Sequence, residues 1–83
     1  MNATQEGFID FVKDIESGQE IEHGYAWEGC AVGKYLESIS SEESAYVFAN
    51  FKLDSQLMQY LNKKIPETYG DLQSFIEITF NSY

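Results

Sequence analysis

Residues 40–52, SSEESAYVFANFK, decide whether this chain is all-helical or carries a central hairpin. The run Tyr46-Val47-Phe48-Ala49-Asn50-Phe51 is apolar and aromatic enough for a strand. Periodicity alone does not separate a short buried strand from a short buried helix. The preceding residues tip the balance. Ser40 and Glu43 have the spacing of a capping box, in which serine and glutamate each bond the other's backbone N–H. That spacing predicts a helix over 42–52.

Working outward, helical spacing recurs on both sides. Upstream, Val32, Tyr35, Leu36 and Ile39 fall at i, i+3, i+4 and i+7, an apolar stripe that predicts a helix opening near Gly29 or Cys30. Phe8, Phe11, Val12 and Ile15 repeat the pattern, with Asn2 or Thr4 placed to cap the start and Gly18 to end it. Downstream, Asp54 is a good N-cap, flanked by Leu53 and Met58 in the hydrophobic-staple positions. Leu57, Met58 and Leu61 supply a buried face, Lys63 and Lys64 suit a helix C-terminus, and Pro66 blocks continuation. Thr68 and Asp71 form another capping pair, opening a last helix with Tyr69, Leu72, Phe75, Ile76 and Phe80 on or near one side. The β-branched residues within 76–80 leave a strand ending open there. The expected fold is all-α: a single-domain bundle of four or five short helices spanning 1–83. An α+β arrangement with a short central or C-terminal hairpin is the alternative.

Eighty-three residues support one core and no second domain. The chain is 43% hydrophobic and 16% aromatic, too rich in aromatics for disorder. Each buried aromatic removes about 150–250 Å² from water, so a few can anchor a small core. Residues 18–29, GQEIEHGYAWEG, read as a loop whose Tyr25 and Trp27 fold back as core plugs. The aromatics exceed what so small a core can hold, so Tyr25, Tyr46, Tyr60 and Tyr83 are expected to be partly exposed.

Charge narrows the function. Fourteen Asp and Glu face five Lys, with no Arg, for a net charge of −9. Nucleic-acid binding rests on cations that neutralise phosphates, so a direct nucleic-acid ligand is excluded, and an anionic membrane would repel the chain. A basic protein surface would attract it. The first 28 residues carry seven acids against Lys13 alone, a net six negative charges; the remainder carries a net three. Glu6, Asp10 and Asp14 form an i, i+4, i+8 row, and like charges so spaced cost a few tenths of a kcal/mol per pair. Their spacing is about 6 Å along a helix axis. That is comparable with phosphates along one DNA strand, at about 3.4 Å of axial rise plus the sideways winding of the backbone. Such a row fits a basic groove that holds nucleic acid; the plainer alternative is a solvated face that maintains solubility. The candidate partner-binding residues are therefore Glu6, Asp10, Asp14, Glu16, Glu20, Glu22 and Glu28, with Tyr25 as an aromatic contact.

Catalytic chemistry has one candidate. Cys30 at a helix start would have a stabilised thiolate, and His23 could act as its base. The competing reading makes Cys30 a small buried hydrophobe and His23 a solvated loop residue. A lone cysteine forms no internal disulfide and fits a reducing compartment. Glu20, Glu22 and His23 lie close in sequence but match no EF-hand, zinc pair or HExxH spacing, so neither metal nor cofactor is expected. The start MNATQEGFIDF lacks the basic and apolar runs of a signal peptide, and no segment has the ~20 apolar residues of a membrane span. The expected location is the cytoplasm, of a cell or of an infected cell.

In size, charge and aromatic content the whole chain resembles the small acidic proteins that bacteriophages and mobile elements encode to block host nucleic-acid enzymes. Anti-CRISPR proteins and DNA-mimic restriction inhibitors belong to that group. The resemblance rests on no motif. It implies a non-enzymatic inhibitor that occupies a DNA-binding channel. A structural or accessory homodimer, and a thiol enzyme or redox sensor using Cys30, are the alternatives.

Overall fold

The computed structural model describes residues 2–23, 27 and 30–80. Helix α1 (Gln5–Asp14) opens at Thr4, whose Oγ1 accepts from Gly7 N at 2.9 Å. It buries Phe8 and Val12, with Ile9, Phe11 and Ile15 packed beside them. The helix stops at Ile15 instead of running on to Gly18. Gln73 Nε2 donates to the carbonyls of Val12 and Ile15 at 2.9 and 2.8 Å, meeting the acceptors that a helix end leaves open. A side chain 58 residues away, not a local glycine, ends α1.

Helix α2 (Ala31–Ser38) opens at Cys30, as the spacing predicts, and buries Ala31, Val32, Tyr35 and Leu36. Residues 45–51 are helical, which settles the ambiguous stretch: α3 (Ala45–Phe51) buries Ala45, Phe48 and Ala49. Its predicted start is corrected. Ser40 does not cap it, because Ser40 ends α2: its φ is 54° and Ser41 N reaches back to Leu36 O at 2.9 Å, closing a left-handed C-terminal turn. Ser44 caps instead, its Oγ accepting from Val47 N at 3.4 Å, so α3 begins at Ala45 and not at residue 42. Glu43, released from the box, pairs with Lys52 Nζ at 2.9 Å.

Helix α4 (Ser55–Asn62) opens on Asp54, whose Oδ1 accepts from Gln56 N at 2.8 Å. Leu57 and Leu61 are buried from it, and Met58 is half-buried. Helix α5 (Tyr69–Phe80) opens on the predicted pair: Asp71 N donates to Thr68 Oγ1 at 3.2 Å, and Thr68 N donates to Asp71 Oδ2 at 3.3 Å. It remains helical through Phe80, so no C-terminal strand forms within it.

The core joins three helices through aromatic rings. Phe8 of α1 meets Tyr35 of α2 at 5.8 Å and Phe48 of α3 at 6.3 Å, both edge to face. Tyr35 and Phe48 close the triangle at 5.8 Å. Helix α1 packs against α2 and α5, and α3 joins α2 to α4. Two polar ties hold the α3–α4 junction to the start of α1: Lys52 Nζ donates to Ala3 O at 3.2 Å, and Asp54 N donates to Gln5 Oε1. Trp27 packs on the core half-buried, as expected, whereas Tyr25 and Tyr83 lie outside the described residues. Tyr46 is exposed, while Tyr60 is half-buried and stacks on Phe75 with centroids 4.0 Å apart.

The segment after α1 lies along the start of α5. Gly70 N donates to Ser17 O at 2.8 Å, Tyr69 N to Gln19 O at 2.9 Å and Ile21 N to Glu67 O at 2.9 Å, with an antiparallel bridge between Glu20 and Thr68. Gly70 is required there, since a Cβ would sit 2.8 Å from Ser17 O.

Candidate functional site

The acidic row follows from helix geometry. At about 100° per residue, Glu6, Asp10 and Asp14 fall opposite Phe8 and Val12 on α1, and all three are exposed. Glu6 sits in the first turn, where the helix dipole favours an anion; Asp14 ends the helix, where it does not. Glu16, Glu20 and Glu22 follow on the pinned segment and are also exposed. Among the described residues, no ion pair or side-chain hydrogen bond engages any of these six carboxylates. Glu28 and Tyr25 fall outside the described residues.

The fold adds acids that linear spacing does not reveal. Pairing of 17–21 with 67–70 sets the backbone of exposed Glu67 against that of Ile21, and the turn that exposed Asp71 caps next to Glu20. The only hint in the sequence is that Asp71 belongs to a capping pair. Asp71 Oδ2 accepts from the backbone N–H of both Glu67 and Thr68, so that turn is held in place.

Beneath this surface lies Tyr69, with 0% exposure. Among the described residues its Oη has no hydrogen-bond partner, and burial, with smaller contributions from Cys30 and Glu22, pushes its pKa up to about 12. An unpartnered buried hydroxyl is a cost, so Tyr69→Phe is expected to raise stability at neutral pH by about 1 kcal/mol in urea unfolding. The pH dependence has a definite sign. Between the ordinary tyrosine pKa of about 10 and the folded value, the unfolded chain releases a proton that the native state retains. Stability present below that window is lost as pH rises through it, and the Phe variant should lose less. A Phe variant less stable than wild type both at neutral pH and within that alkaline window would contradict this account.

Cys30 is 6% exposed and its Sγ donates to Trp27 O at 2.9 Å. His23 turns to the backbone: Pro66 O can only accept, so Nε2 carries the proton and donates to it at 2.7 Å. The thiol is thus packed like a small hydrophobe. Among the described residues no group of three His, Cys, Asp or Glu is gathered to hold a metal ion, and no helix is long and apolar enough to cross a membrane. A shallow pocket at the start of α1 is lined by Asn2, Ala3, Thr4, Gln5 and Lys52, whose ammonium already serves Glu43 and Ala3.

No protein-family model matches this chain, and comparison with curated proteins and with solved structures gives no significant match.

Proposed function

We propose that this chain is a non-catalytic binding module that inhibits a nucleic-acid enzyme by occupying its basic nucleic-acid-binding surface, in the manner of anti-restriction or anti-CRISPR proteins. The reading rests on one observation: Glu6, Asp10 and Asp14 stand exposed along α1 with no cation paired to them among the described residues. The helix already bears their mutual repulsion, so a basic groove would gain their charge without first breaking an ion pair. Glu16, Glu20 and Glu22 extend the anionic segment, and Glu67 and Asp71 add charge from the turn that opens α5. The field of a −9 chain accelerates encounter with such a groove, and does so most at low salt. The cytoplasm, where such enzymes act, is its proposed location.

Affinity capture with the purified chain as bait, at low and high salt, tests the proposal when each captured protein is then challenged with duplex DNA. The expected partner is a basic nucleic-acid-binding protein that is released by salt and by duplex. The Glu6→Gln, Asp10→Asn, Asp14→Asn triple variant should associate with it at least about tenfold more slowly, with a flatter salt dependence. An unchanged salt slope in the variant, or a partner that holds duplex and this chain together, would overturn the reading.

A further inference from the structure

Helix α3 is apolar on both sides. Its inner face, Ala45, Phe48 and Ala49, fills the core, while Tyr46, Val47 and Phe51 are 61%, 42% and 79% exposed. At about 100° per residue these three and Asn50 occupy a single arc of roughly 140° on the outward side. Asn50 is fastened in that arc, with Nδ2 donating to Tyr46 O at 2.8 Å. The side chains expose on the order of 350 Å² of mostly apolar surface, by comparison with the 150–250 Å² of a whole aromatic. The largest apolar patch on a monomer is usually about 300–600 Å² and is often functional, so this arc is the size of a small contact surface.

Charge points to the occupant. Across residues 44–62, which hold α3 and α4, only Lys52 and Asp54 are charged. Every other helix carries acids: Glu6, Asp10 and Asp14 on α1, Glu37 on α2, Asp71 and Glu77 on α5. A basic partner finds no anion on the outer face of α3. Two copies of a −9 chain repel one another on their acidic faces and meet here at the least Coulomb cost. The arc is also self-complementary. An antiparallel pairing of two α3 helices about a two-fold axis level with the midpoint between Val47 and Asn50 sets Phe51 of one copy over Tyr46 of the other and Val47 over Asn50, and the reverse, as a closed symmetric contact requires.

We propose that the outer face of α3 (Tyr46, Val47 and Phe51 around Asn50) is a two-fold contact between copies of this chain. The buried area is below the ~800 Å² per partner of a standard interface, so the dimer is weak and forms at micromolar to millimolar concentration. This contact uses a different surface from the acidic row and stands or falls separately from it.

Sedimentation velocity from about 1 µM to 1 mM, at low and high salt, tests the contact across the affinities of weak dimers. The expected result is a monomer–dimer equilibrium that tightens as salt screens the repulsion, opposite to the salt response expected of a basic partner. Phe51→Asp and Tyr46→Glu alter exposed positions, so they should keep the wild-type circular dichroism and raise the dimer dissociation constant at least about tenfold. Asp10→Asn should leave the dimer as tight or make it tighter. A monomer at every concentration and salt, association beyond the dimer, or a Phe51→Asp variant that dimerises like wild type would each overturn the proposal.

Discussion

Replacing Phe48 by alanine is expected to remove about 3–5 kcal/mol of stability. A chain of 83 residues commands only about 4–12 kcal/mol in all, at 0.05–0.15 kcal/mol per residue. The loss is large because Phe48 has no exposure and its ring joins α3 to both α1 and α2. Truncation forfeits the area term, leaves a cavity that three packed helices cannot collapse, and removes two aromatic pairs worth about 0.5–1.5 kcal/mol each. Urea unfolding followed by circular dichroism should show the midpoint falling by at least about a quarter. Phe51 provides the control. Three residues further along the same helix, its exposed ring should be replaceable by alanine within about 0.5 kcal/mol in the monomer. Comparable losses at both positions would mean that α3 does not present these two faces.

Gly7→Ala is the second large effect, and its sign is opposite to helix propensity. Alanine in place of glycine in a helix ordinarily gains up to about 1 kcal/mol. Here the new Cβ would fall inside the van der Waals envelope of Tyr35 Oη, with Tyr35 Cζ at 3.2 Å and Thr4 Oγ1 at 3.1 Å. Tyr35 has nowhere to go. It is 4% exposed, its ring is braced by Phe8, Phe11 and Phe48, and its Oη accepts from Thr4 N at 3.3 Å. A net loss of about 1–3 kcal/mol follows, the usual range for overpacking. Tyr35→Phe alone should cost about 1 kcal/mol for the lost hydrogen bond. The double variant should recover most of the Gly7→Ala loss, giving a coupling of about 1–2 kcal/mol. Strict additivity of the two changes would show that the glycine is not there to admit the tyrosine hydroxyl.

These two sites mark the boundary of what linear spacing conveys. The helices were legible because their apolar residues recur at i, i+3 and i+4, and because Thr4, Asp54 and Thr68 act on N–H groups within three residues of themselves. Ser40 misled because two helix ends fall within five residues of one another. Its hydroxyl and spacing fit a beginning, but its backbone is used for an ending. Gln73, Gly7 and Tyr69 carried no readable signal. The first meets α1 from 58 residues away, the second faces a side chain 28 positions on, and the third shows its orphaned hydroxyl only once the chain is packed. The acidic row was legible as one face of α1, since three residues four apart must share it. That the turn holding Glu67 and Asp71 meets the backbone of 17–21 depends on pairing across nearly fifty residues, which composition does not encode.

The grip of Gln73 and the 67–70 segment on α1 also sets a schedule for biosynthesis. During translation the first helix emerges early, yet the carbonyls at its C-terminus and the turn after it find their partners only when residues 67–73 have left the ribosome. Until then the nascent chain has an amphipathic helix with part of its docking surface unmade, so its native packing is acquired only once residues 67–73 are available. A nascent chain whose emerged part ends before residue 67 should accordingly be cleaved readily by protease within residues 15–21, whereas the same bonds should resist once residues 67–73 are in place.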